Sequence, residues 1–294
     1  MENNIYKKSL GGKNMGRGLR IEYYGAIYHI IQRGNNRKPI FKDEKDKEYL
    51  LELFSEAKEI YGFKIFAYVI MDNHYHFLIQ TFNVPISKIM HTINTRYAKY
   101  YNYKMDRRGP VFEGRYKGIL VQDDSYFLTL LRYIHNNPVF AKICSSMEGY
   151  KWSSDPFYRV NMEGVVDIGQ ILDILSLNRI EAIKKYVELM EEESLDYETM
   201  KNIYEETTMI GTERFKKSII EIEDKKSNLD EILRRVCPSQ VEFELIKSGS
   251  RKRYLTKYKK RYAELCKKEG YTYSEIGANI GVSGTSVGSM LVLQ

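Results

Sequence analysis

The spacing of apolar positions divides the first half of the chain into short strand-like runs and longer helical ones. Residues 26–33 (AIYHIIQR) are apolar and β-branched enough for a strand, and Gly34-Asn35-Asn36-Arg37 follows as a polar loop. From about Asp43 to Tyr61, Tyr49, Leu50, Leu53, Phe54, Ala57 and Ile60 recur at helical spacing behind an acidic first turn, and Gly62 ends the run. Phe63 to Met71 and His74 to Gln80 read as a hairpin turning at Asp72-Asn73. Pro85 to Tyr103 is a second helix with a basic side at Arg96, Lys99 and Lys104, and a strand runs through Ile119, Leu120 and Val121. A third helix, SYFLTLLRYIHNN, should stop near Asn137, because Pro138 disfavours helical geometry in the residue before it. This order predicts an α+β, ferredoxin-like antiparallel sheet with helices packed on one side.

Four stretches are expected: a disordered leader over residues 1–15, with Met15 an alternative start, a domain over 16–158, a helical connecting region over 159–227, and an all-α C-terminal domain over 228–294. The connecting region carries helical apolar spacing and no recognisable chemistry. In the last stretch, residues 274–283 (SEIGANIGVS) give a helix and a tight glycine turn. A second helix then opens at Ser283, with Thr285 and Ser286 where a helix-turn-helix offers side chains to a major groove. The alternative is a plain helical hairpin, weakened by the basic runs Arg251-Lys252-Arg253 and Lys257 to Arg261 just upstream.

Composition adds a preference for an anionic partner: 46 Lys and Arg against 39 Asp and Glu, a formal charge of +7. The 25 tyrosines suit both packing and stacking on bases. Cys144, Cys237 and Cys266 are scattered and odd in number, which gives neither a disulfide framework nor a zinc knuckle and fits a reducing cytoplasm. No apolar run has the length of a membrane span.

The chemistry centres on His74-Tyr75-His76. Side chains alternate along a strand, so two imidazoles share one face and Tyr75 and Phe77 take the other. On the third helix, Tyr133 and Asn137 lie one turn apart on one face, a phenol beside an amide oxygen able to ligate a hard cation. Tyr126, two turns earlier, is the rival phenol. No carboxylate cluster is evident near the histidines.

These pieces resemble the single-tyrosine HUH transposases, in the group related to REP-associated tyrosine transposases. The resemblance rests on GRGLRIEYYGAIYHIIQRGNN, AYVIMDNHYHFLI, GPVFEGRYKGILV, SYFLTLLRYIHNNPV and YKWSSDPFY, over about residues 16–158. The tail is similar to the duplex-binding domain of the chromosomal replication initiator. The resemblance implies an HUH nuclease fold and a metal-dependent single-stranded DNA endonuclease and strand transferase that cuts near hairpins. Tyr133 would be the nucleophile, forming a 5′-phosphotyrosine, and His74, His76 and Asn137 would hold Mg²⁺ or Mn²⁺. Arg33, Arg37, Lys38, Arg107, Arg108, Arg115 and Lys117 are candidates for phosphate contact. Ser283, Thr285 and Ser286 would meet duplex DNA, and a nucleoid-associated homodimer is expected. The rival readings are a regulator with a vestigial nuclease fold and a hydrolase that uses water as nucleophile.

Overall fold

The computed structural model describes residues 21–122, 124–192, 197–224 and 228–292, so the leader expected over 1–15 lies outside it. The chain divides into two compact units at Gly211/Thr212. The first contains β1 (Ile27–Arg33), α1 (Glu44–Tyr61), β2 (Lys64–Ile70), β3 (His74–Gln80), α2 (Ile86–Lys104), β4 (Lys117–Val121), α3 (Asp124–Phe140), α4 (Asp155–Arg159), α5 (Gly169–Leu175), α6 (Arg179–Glu191), α7 (Tyr197–Glu205) and β5 (Met209–Ile210).

Local chemistry sets these limits. Asp43 and Asp46 form a reciprocal capping box that starts α1, and Gly62, at φ 64°, ends it in the left-handed region that only glycine adopts cheaply. The sheet order is β2-β3-β1-β4-β5. The first four strands pair antiparallel in the ferredoxin-like arrangement, and β5 adds to β4 in parallel. The β1–β3 register sets Arg33 opposite His74 and Ile31 opposite His76.

Helices cover both faces of the sheet, not one. Tyr75 and Phe77 face α1 and α2: the Phe77 ring stacks on Phe54 at 3.7 Å, and the Tyr75 hydroxyl donates to Asn94 at 2.6 Å. On the opposite face Phe66 meets Phe127 of α3 and His76 meets Tyr133. The reason is visible in β2, whose run from Ile65 to Ile70 is buried throughout and does not alternate; a sheet apolar on both sides needs two covers.

Helix α3 continues past Asn137 to Phe140, with Pro138 inside it. Placed in the last turn, the proline forfeits one backbone donor, while Ala141 N still reaches the Asn137 carbonyl at 2.9 Å and Ile143 N the Pro138 carbonyl at 2.9 Å. The stretch after residue 158 is built into this first unit. Helices α5 and α6 pack on α3, and Asp167 closes a two-way bond with Ile65 at the free edge of β2. At the other edge, Leu120 N and Gln122 N donate to Thr208 and Ile210 carbonyls at 3.1 and 2.8 Å.

The second unit comprises α8 (Glu213–Asp224), α9 (Leu229–Val236), α10 (Gln240–Lys247), α11 (Thr256–Lys268), α12 (Tyr273–Asn279) and α13 (Gly284–Val292). Its core joins Ile232, Leu233, Phe243, Ile246, Tyr262, Ile276, Ile280 and Val287. Thr272 and Glu275 cap α12 reciprocally, and Gly281, at φ 65°, makes the turn into α13. Ser283, Thr285 and Ser286 are exposed at the start of α13, where the Ser283 hydroxyl accepts from Ser286 N at 3.1 Å. Among the described residues, no helix is long and apolar enough to cross a membrane.

Candidate active site

Strand alternation puts His74 and His76 on the α3 side of β3, and β1 sends His29 and Arg33 to the same side. His76 is fully buried, and its Nδ1 lies 2.9 Å from His29 Nε2. His29 Nδ1 lies 2.9 Å from the Tyr204 carbonyl, which can only accept. The proton of a neutral His29 therefore sits on Nδ1, its Nε2 accepts, and His76 donates from Nδ1. Burial holds His29 neutral by lowering its pKa to about 4. His76 is left with a bare Nε2.

His74 reaches the same state independently. Its Nδ1 lies 2.6 Å from Asn73 Oδ1, and the Asn73 amide is oriented by donating Nδ2 to the Arg37 carbonyl at 3.0 Å. His74 thus also donates from Nδ1 and keeps a lone pair on Nε2. Its pKa is lowered to about 4 by burial and then by the charge of Arg33. A ring that donates one N–H to a carbonyl oxygen and offers the other nitrogen bare is in the state that metal-binding histidines adopt.

Helix α3 delivers Tyr133, fully buried, with its ring 5.9 Å from that of His76 and 6.2 Å from that of His29. Its hydroxyl donates to Glu205 Oε1 at 2.7 Å, while Glu205 Oε2 pairs with Arg33. Burial pushes the Glu205 carboxyl up, but the Tyr133 hydrogen bond and the Arg33 charge outweigh it and hold the group below the usual range. Oε1 also lies 3.8 Å from His76 Nε2, which is buried with no hydrogen-bond partner among the described residues. Asn137, buried beneath Tyr133, donates its amide nitrogen to the Tyr133 carbonyl at 2.9 Å.

A family described as Transposase IS200 like matches residues 22–137, the span that holds both histidines and the tyrosine. That matched span is similar to the IS200-like transposases. Among solved structures, the chain is similar to a REP-associated tyrosine transposase bound to a REP hairpin, at 15% identity, covering 53% of this chain and 93% of that one, with a TM-score of 0.43. It is also similar to a Deinococcus radiodurans R1 protein assigned as a transposase, at 18% identity, covering 42% and 96%, with a TM-score of 0.29. No curated protein matches the chain.

In the first unit, Arg33, Arg37, Arg115 and Lys117 line one cleft together with Glu205. Lys38 and Arg108 are exposed outside that lining, and Arg107 is turned to the Pro110 carbonyl at 2.9 Å with its guanidinium over Tyr101. Two residues of this site escape a reading from sequence motifs. His29 had a usable signal, since it shares a strand face with Arg33. Glu205 had none, being separated from His76 by more than a hundred residues and lying outside the matched span. A carboxylate, Glu205, lies near the histidines and is hydrogen-bonded to the tyrosine.

Proposed function

We propose that the transposase domain cuts single-stranded DNA by attack of Tyr133, leaving a 5′-phosphotyrosine and a free 3′-hydroxyl. The observation that carries this reading is the Tyr133 phenol lying against His76, whose Nε2 is bare, with the bare Nε2 of His74 on the same strand face. Such a donor set suits a divalent ion, Mg²⁺ or Mn²⁺, held by His74 and His76 with a third side chain, Asn137 or Glu205. When bound, the ion would neutralise charge growing on the phosphate.

The chain's own residues do the rest. The Tyr133 Oη–P bond forms and the P–O3′ bond breaks, its electron pair leaving with the 3′-oxygen. The phenolic proton departs toward its present acceptor, Glu205 Oε1, and the 3′-oxygen gains one, so no net proton is consumed. Because phenol has an unperturbed pKa of about 10, an acceptor already in place is a direct aid to attack. Arg33, Arg37, Arg115 and Lys117 supply phosphate contacts along the cleft. Ser283, Thr285 and Ser286 present the second unit to duplex DNA, and the active species is a homodimer.

Glu205 also favours a second reading, hydrolysis, since a carboxylate beside the site can activate water. Labelled hairpin oligonucleotides incubated with the protein and Mg²⁺ or Mn²⁺, then run on denaturing gels beside Tyr133→Phe and Tyr126→Phe, separate the two. The expected result is a covalent adduct that disappears only in Tyr133→Phe. Cleavage with no adduct establishes hydrolysis, and an adduct surviving in Tyr133→Phe but not in Tyr126→Phe moves the nucleophile.

A further inference from the structure

Two acceptor atoms face each other at the centre of the site. His76 has its one ring proton committed to His29, so Nε2 carries only a lone pair, and Glu205 Oε1, 3.8 Å away, is a carboxylate oxygen that already accepts from Tyr133. Both atoms are in residues at most 5% exposed, so water does not separate them from each other's partial charge. Two buried lone pairs directed at one another are stabilised by a cation between them. Donors that share an ion at about 2.1 Å each lie no more than about 4.2 Å apart, so this pair can share one without main-chain movement.

The main chain holds that carboxylate in place. Glu205 ends α7, and the residues after it are stitched to the sheet through Thr208 and Ile210. Oε2 is pinned by Arg33, whose strand position is directly opposite His74. The amide nitrogen of Asn137 donates to the carbonyl of its own helix, which leaves Oδ1 as the atom it could offer to a cation. As they stand, no three His, Cys, Asp or Glu side chains among the described residues close on one point. His74, the partly exposed one of the three, has its ring centre 5.1 Å from that of His76.

We propose that Glu205 is the third protein ligand of the divalent ion held by His74 and His76, so that the segment 197–210, outside the family-matched span, is part of the active site. This inference rests on the metal reading proposed above. A set of two imidazoles and one carboxylate suits hard divalent ions such as Mn²⁺ and leaves coordination positions open to phosphate oxygens.

The test is Mn²⁺ binding to the full chain without DNA, followed by the electron paramagnetic resonance signal of the free ion, with thermal unfolding as a check of folding. The expected result is one site, abolished in His76→Ala, weakened at least tenfold in Glu205→Gln, and kept within about twofold in Asn137→Ala and Tyr133→Phe. Glu205→Asp, which keeps the charge with a shorter reach, should lie between wild type and Glu205→Gln. Equal binding by wild type and Glu205→Gln, with loss in Asn137→Ala, overturns the proposal and leaves the metal reading standing. Absence of Mn²⁺ binding, or binding indifferent to His76→Ala, overturns both.

Discussion

His29 orients His76 across the β1–β3 pairing: the bond from His76 Nδ1 to His29 Nε2, at 2.9 Å, fixes which nitrogen His76 turns to the site. Replacing His29 by Phe removes the acceptor while keeping a flat ring of similar size. Affinity for Mn²⁺ should fall about 10- to 100-fold, the usual loss for an outer partner of a ligating imidazole. Stability should fall by about 2 kcal/mol, because His76 Nδ1 and the Tyr204 carbonyl both lose their partner. Unchanged Mn²⁺ affinity in a folded variant would show that His76 needs no such orientation.

Acid should loosen the first unit over a defined window. His29 and His135 are fully buried, and burial lowers each pKa from 6.5 to about 4. A lowered histidine pKa means that the unfolded chain binds the proton first. The stabilisation is therefore complete above about pH 6.5, declines as pH falls, and is exhausted near pH 4, at about 3 kcal/mol for each ring. Melting temperature should stay level from pH 7 to about pH 6.5 and drop from there to pH 4, and His135→Gln should flatten the slope. A level profile between pH 6.5 and 4.5 would contradict the assignment.

A buried relay away from the active site should matter for folding alone. The Tyr186 hydroxyl donates to Asp155 Oδ1 at 2.6 Å and meets His135 Nδ1 at 2.9 Å, while His135 Nε2 lies 2.7 Å from the Ser154 hydroxyl. Tyr186→Phe leaves an ionised carboxylate and a ring N–H short of a partner, at a cost of about 3 kcal/mol. Chemical denaturation should show that loss, with adduct formation on single-stranded DNA intact at temperatures where the variant stays folded.

Gly277 should be indispensable to the second unit. A Cβ there would lie 2.5 Å from the Val282 carbonyl oxygen and 3.0 Å from the Ser283 carbonyl carbon, both backbone atoms that cannot rotate aside. Gly277→Ala should destabilise the α12–α13 turn by about 2 kcal/mol or more and weaken binding to duplex DNA. Gel-shift assays with duplex and single-stranded probes should separate that effect from cutting by the first unit.

The parts of this architecture legible in the sequence are those governed by local periodicity. Alternation alone sends His74 and His76 to one face and Tyr75 and Phe77 to the other, and the stacking of Phe77 on Phe54 agrees. Helical spacing likewise set Tyr133 above Asn137. Helix α3 outran its expected end because a proline in the last turn costs one hydrogen bond, too little to stop the helix. Helices on both faces follow from the unbroken apolar run of β2, a signal present in the residues themselves. Glu205 was illegible for a deeper reason: its role depends on α7 and β5 returning to a sheet edge, a tertiary event with no local signature.

The two-residue strand Met209–Ile210 has an implication for assembly. Exposed sheet edges are where copies of a protein extend one another's sheets. Here the β4 edge is occupied at Leu120 and Gln122, and the β2 edge is occupied by Trp152, Ser154 and Asp167, through Ile70 N to the Trp152 carbonyl, Ser154 N to the Tyr68 carbonyl and Asp167 N to the Ile65 carbonyl. The β2 and β4 edges are thus already taken by the chain itself, so neither is open to extension by another strand without first releasing segments 152–167 or 208–210.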